Sequence, residues 1–200
     1  MPLGDVAVVG AGDDVSSAVA RRCGATVQDT AALLPAVLDG IVVVMGADAA
    51  PTSLESMDAR EWRRLVDEPL WQTISLLQRA WTSMRDHGGR VVFVVPTIGM
   101  TGAPRFVPLT TVTEGTRALA KSAARQWADS GVIVNIVGVP MTLLIPGSAD
   151  ATQHLTAPAV ADRSTLLDEV VETVAHLLRR DVRHRIGQTV IVDGGSVMLP

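Results

Sequence analysis

Tyrosine is absent from all 200 residues, so no reaction that takes its proton from a phenol is open to this chain. Cysteine occurs once, as Cys23, which excludes an internal disulfide; without a CxxC spacing or histidine neighbours it offers no metal set either. A buried structural thiol near a helix end is expected there. Lysine also occurs once, as Lys121, every other basic residue being arginine. Aromatic residues make up 3% of the chain, and the four tryptophans, Trp62, Trp71, Trp81 and Trp127, fall in predicted helices, where they read as core or interface packing.

Charge of one sign is not concentrated. Seventeen basic residues stand against 21 acidic ones, with a net charge of −4 and a pI near 5.5, so nothing attracts a phosphate backbone or an anionic membrane surface. No nucleic-acid partner is expected. The longest apolar runs, "GIVVVMGADAA" and "RVVFVVPTIGM", fall short of the roughly 20 residues that a membrane span needs. The opening "MPLGDVAVVG" has no positively charged n-region and runs directly into strand-like sequence, so a signal peptide is not expected and a cytoplasmic location is.

What is present is enough for one core. With 48% hydrophobic residues and a mean hydropathy of +0.30, residues 1–200 read as a single domain. Short β-branched runs alternate with helix-period segments, the pattern of a parallel sheet with crossover helices. Strands are expected at 5–10, weakly at 25–28, then at 40–46, 90–95, 131–137 and 188–192. Helices are expected in "VSSAVARRC", in "TAALLPAVL" despite Pro35, in "DAREWRRLVDE", in "LWQTISLLQRAWTSMRDH", over 111–130 and over 164–180. Leu70, Ile74, Leu77, Trp81 and Met84 form one apolar stripe. The stretch 141–162 has no sustained period and reads as a surface loop.

This order, the passage "GTRALAKSAARQWADSGVIVN" and the closing "GQTVIVDGG" resemble the short-chain dehydrogenase/reductase family over nearly the whole chain. The resemblance implies a three-layer, Rossmann-like, doubly wound α/β fold. It is shortened after the first strand-helix unit: where the family places two strand-helix units, only "GATVQDTAALLPAVLD" is available.

The family's chemistry uses a tyrosine with a lysine four residues later on the same helix face, the lysine lowering the tyrosine's pKa and holding the nicotinamide ribose. Aligned on Gly99, Gly102 and Gly115, the tyrosine position is Leu109 and the lysine position is Thr113. The serine position falls at Pro96, with Thr97 as the hydroxyl if the register slips by one, and the helix asparagine position falls at Pro69. No catalytic residue is therefore expected, and Lys121 lies two turns beyond the catalytic place.

The dinucleotide loop is similarly altered. "VGAGDDVSSAVA" keeps Gly10 and Gly12 but has Asp14 and Ser16 where the family has glycines. Asp13 and Asp14 are expected to cap the helix and to repel a dianionic ligand. Asp29, near the spacing of a ribose-binding acid, reads as another helix cap, and "VMGA" replaces the family's asparagine-alanine-glycine. NAD(P) binding is expected to be lost.

His87, His154, His176 and His184 show no metal-ligand spacing, and no metal is expected. "RRDVRHR" (179–185) gathers positive charge at a helix end, which the helix dipole favours unaided and which could also take an anion. No Gly-x-Ser-x-Gly motif occurs.

Three functions remain open. The first is a non-catalytic subunit, assembled through the two long helices and the last helix and strand, with an active relative or with itself as dimer or tetramer. The second is a module binding a small hydrophobic or acyl ligand in a pocket around Thr97, Leu109, Thr113 and Met141. The third is an enzyme of different chemistry using Thr97, Thr110, Thr113 or Glu114.

Overall fold

The computed structural model describes residues 3–46, 51–149 and 157–198. Six parallel strands form one sheet in the order β2-β1-β3-β4-β5-β6: β1 (Val6–Val9), β2 (Val27–Gln28), β3 (Gly40–Val44), β4 (Gly89–Pro96), β5 (Val132–Val139) and β6 (Thr189–Ile191). Unbroken runs such as Gly40–Val44 are buried on both faces, as a sheet covered by helices on each side requires.

The alternation of side chains divides the core in two. Ala7, Ile41, Phe93 and Ile136 face the helices α3 (Glu68–Met84) and α5 (Val107–Trp127). Val8, Val42, Val94 and Val137 face α1 (Asp14–Cys23) and α7 (Leu166–Leu178). This is the expected three-layer, doubly wound arrangement.

Between β1 and β3 the chain is reduced as anticipated, but "TAALLPAVL" is not a helix. Pro35 has no N–H to give a helical ladder. The segment's carbonyls instead accept bonds from α3 side chains: Arg79 donates to Thr30 O, and Ser83 Oγ donates to Pro35 O at 2.6 Å. Asp29 consequently caps no helix; its carboxylate takes the Ala31 N–H at 2.8 Å in a local turn.

The two helices expected after β3 are continuous. α2 (Ala59–Trp62) passes through a π turn at Arg63–Asp67 into α3. Pro69 explains the widened turn, because its ring would collide with the carbonyl four residues earlier in a regular helix. The α3 face in the core is Leu76, Leu77, Ala80 and Met84, so the expected stripe is split: Leu77 and Met84 join the core, whereas Leu70, Ile74 and Trp81 lie half-buried along the flank toward α5. Trp81 stacks on Trp127 of α5 with centroids 5.1 Å apart, and Trp71 is 64% exposed.

The stretch 141–162 begins with a short helix, α6 (Met141–Leu144), rather than loop, and residues 150–156, including His154, lie outside the described residues. Cys23 is half-buried at the end of α1, where burial pushes its thiol pKa up.

Candidate functional site

The chain order reverses between β1 and β3, and in sheets of this kind ligands bind outside the carboxyl ends of the strands at that point. The groups there are Gly10 after β1, Met45 and Gly46 after β3, Pro96 and Thr97 after β4, and Pro140 after β5.

At the end of β1, Asp13 is the N-cap of α1. Its Oδ1 accepts the Ser16 N–H at 2.8 Å, and its carbonyl accepts the Ser17 N–H and the Ser16 hydroxyl. Its Oδ2 is buried without a hydrogen-bond partner. Asp14 is exposed in the first turn. Ser16 is fully buried, and a Cβ on Gly10 would come within 2.8 Å of the Ser16 Cβ, so Gly10 is kept by the packing of α1 on its own strand. Both aspartates thus stand at the helix start as expected, but only Asp13 accepts a capping bond.

Downstream of β4, a second short helix, α4 (Ile98–Thr101), turns back toward α5. Arg105, between them, has φ 67°, a conformation uncommon for a side-chain-bearing residue, and its carbonyl accepts the Thr52 N–H at 2.8 Å. The approach of α4 to α5 is close: a Cβ on Gly99 would lie 2.7 Å from Thr113 Cγ2.

Leu109 is buried in an apolar cluster with Ile98, Phe106 and Met141. Thr113 is fully buried and its hydroxyl donates to Leu109 O at 2.8 Å. Thr110 donates to Val107 O at 3.1 Å. Both hydroxyls are therefore occupied by their own helix. Thr97 is 2% exposed with its N–H on Val139 O. Pro69 offers a carbonyl that accepts from Thr73 Oγ1 at 3.0 Å. Glu114 pairs with Arg117 at 2.6 Å and keeps one buried oxygen, Oε1, without a partner.

The pocket expected around Thr97, Leu109, Thr113 and Met141 is therefore filled with side chains. A chamber of about 280 Å³ lies on the other side of Leu109, between the end of β3 and the starts of α3 and α5. Its walls include Met45, Leu65, Pro69, Phe106 and Leu109, with Thr30, Arg64 and Gln72 as polar groups. Of the four residues proposed from sequence, only Leu109 reaches it. The filling by Phe106 and Ile98 was missed, although the apolar "FVPL" was the available signal.

Sequence reasoning also missed the role of Asp193 in the "VDGG" turn. Its buried carboxylate accepts the N–H groups of Gly195, Ser196 and Val197 at 2.9 to 3.1 Å, fixing the chain after β6. Among the described residues no three His, Cys, Asp or Glu side chains are grouped to hold a metal, and no helix is long and apolar enough to cross a membrane.

Sheet order and crevice together define a Rossmann-like α/β protein of the short-chain dehydrogenase/reductase type. The family profile described as enoyl-(acyl carrier protein) reductase matches residues 13–197, and the chain belongs to the short-chain dehydrogenase/reductase family. It is 29% identical over 150 residues to the 3-oxoacyl-[acyl-carrier-protein] reductase FabG of Staphylococcus aureus, a match covering 72% of this chain and 61% of that protein. It is also 29% identical over 175 residues to the cis-4-hydroxycyclohexanecarboxylate dehydrogenase of Sinomonas cyclohexanicum, covering 86% of this chain and 70% of the relative. The crystal structure of levodione reductase superposes with a TM-score of 0.76 at 18% identity, covering 98% of both chains, and supports the fold. The relatives named are dehydrogenases and reductases.

Proposed function

We propose that this chain is a non-catalytic member of its family, a scaffolding or regulatory subunit that assembles with a catalytically competent relative or with copies of itself. The observation that carries the reading is the replacement of the proton donor: the tyrosine position is Leu109, buried among Ile98, Phe106 and Met141, in a chain without any tyrosine. Thr113 has neither the charge nor the reach of a lysine, and Pro69 and Pro96 have no side-chain polar group.

The residues present do not fit a dinucleotide. A pyrophosphate at a helix start needs free N–H groups and an approach unhindered by side chains or negative charge. Here the Ser16 N–H is taken by Asp13, Ser16 fills the space against Gly10, and two carboxylates stand at the turn. The reading therefore includes loss of NAD(P) binding.

Elements that carry assembly in the family are well formed by contrast. The half-buried flank of α3 with exposed Trp71, the length of α5, and α7 leading to β6 with its edge free of a seventh strand among the described residues support an assembly role.

Isolating the chain from its own cells under gentle conditions, with native mass and the identity of every component, tests the proposal. A mixed assembly with an intact family member, or a homo-oligomer without reductase activity, is expected. A free monomer that turns over a carbonyl substrate contradicts it.

A second reading, the binding of a small hydrophobic or acyl ligand, is supported by the mainly apolar chamber of about 280 Å³ beside Leu109. Mass spectrometry of the natively purified protein separates the two: a stoichiometric apolar ligand lost on Leu109→Arg favours the binding module.

A further inference from the structure

A second cavity, about 410 Å³, opens at the amino ends of β4 and β5, at the opposite end of the sheet from the crevice described above. Its lining brings together Arg90, Arg180, Arg183 and His87, with Ile133 and Ile186 as an apolar wall.

The charges in this cavity are not balanced. Arg90 is 3% exposed, and its hydrogen-bond partners are neutral carbonyls: Nε donates to Arg179 O at 3.1 Å, Nη2 to Arg180 O at 2.8 Å, and Nη1 to Gly89 O at 2.9 Å and Gly131 O at 3.4 Å. These four bonds leave one of the five guanidinium N–H groups uncommitted. Arg180 pairs with Asp39 at 2.5 Å, and the other oxygen of Asp39 takes the Asp5 N–H. Asp181 is held by Arg179 at 2.5 Å. Arg183 has no ion pair among the described residues.

Three guanidinium groups thus surround one cavity with one carboxylate, Asp39, committed to one of them. The carbonyls at the end of α7 offset part of this charge through the helix dipole. Burial, and then the like charges of Arg180 and Arg183, hold the Arg90 pKa below the usual guanidinium range, with the Asp181 carboxylate offsetting only part of the effect.

The geometry points to a binding site for a dianionic oxyanion, phosphate or the phosphate group of a phosphomonoester, between Arg90, Arg180 and Arg183. Guanidinium groups suit such a ligand because their donors match paired phosphate oxygens. The cavity is larger than a phosphate ion, and the Ile133 and Ile186 wall gives an ester group an apolar surface. This site is independent of the Leu109 crevice and stands whether the chain acts alone or in an assembly.

Isothermal titration of the intact protein with inorganic phosphate, and separately with phenyl phosphate, at fixed ionic strength against a chloride control, is the test. Saturable binding of at least one of them is expected, weakened tenfold or more by Arg183→Glu, an exposed position at which the fold is retained as circular dichroism would verify. Tighter binding of phenyl phosphate assigns the site to a phosphomonoester, and equal or tighter binding of phosphate assigns it to the free ion. Saturable binding of neither, or binding weakened less than tenfold in the variant, overturns the proposal.

Discussion

β4 and β5 each run eight residues, all of them buried, whereas β2 on the far side of β1 has two half-buried residues and is followed by a segment, 29–39, with neither helix nor strand. On the β4–β5 side, apolar side chains on both faces are locked between α3, α5 and α7. On the β2 side the chain is held by polar bonds from Arg79 and Ser83 and by one deeply buried side chain, Leu38, with Leu34 and Val27 only partly buried. Burial therefore maintains one flank regardless of chemistry, while the other has little core to preserve it.

The largest test of that contrast is a pair of truncations. Phe93→Ala, in the centre of β4, should cost about 4 kcal/mol in chemical denaturation through a large cavity, and Val27→Ala in β2 less than about 1 kcal/mol. Equal losses would break the comparison.

Next comes Thr113→Lys, which returns a lysine to the position where the resemblance expects one. The site is fully buried and closed by Gly99, so an uncompensated ammonium there should lower stability by about 3 kcal/mol. The double variant Leu109→Tyr with Thr113→Lys should gain no reductase activity in a cofactor-oxidation assay. A stable and active double variant would show that the crevice reopens.

Asp13→Ala removes the α1 cap and should cost about 1 kcal/mol by thermal denaturation. Because Asp13 Oδ2 is buried without a partner, the loss should fall short of that for an exposed cap with both oxygens satisfied.

The smallest effect concerns acid. Arg180, and then the Asp5 N–H, hold the Asp39 carboxyl below its ordinary range. A depressed folded pKa contributes stability above the unfolded value of about 3.9 that is lost as pH falls through the lower, folded value. Asp39→Asn should flatten the acid end of the stability curve, slightly, because the pair is partly exposed and screened. Unfolding measured from pH 7 to pH 2 reads this directly.

Much of this architecture was legible because it follows from local pattern. Gly40–Val44 and Gly89–Pro96 are unbroken apolar runs, and "DDVSS" spells a helix start, so the parallel strands and the Asp13 cap could be read from residues within a few positions of one another. The three glycines used for the alignment have structural explanations: Gly99 lies against Thr113, Gly115 against Leu70, and Gly102 has a positive φ of 75°. They say nothing about chemistry. What could not be read depended on distant contacts. The 30–38 segment has a helical period, yet two of its carbonyls, Thr30 O and Pro35 O, are claimed by α3 side chains some 49 residues away. The pocket was placed on the wrong side of Leu109 because Ile98, Phe106 and Met141 converge there from three separate places in the chain.

The proposed loss of hydride transfer is open to a direct test. The direct measurement is a steady-state assay of the purified protein with NADH or NADPH against 3-oxoacyl thioesters and cyclic ketones, the kinds of substrate that its relatives' names suggest. Cofactor oxidation no faster than in a protein-free control is expected. Saturable, protein-dependent oxidation of either cofactor would contradict it.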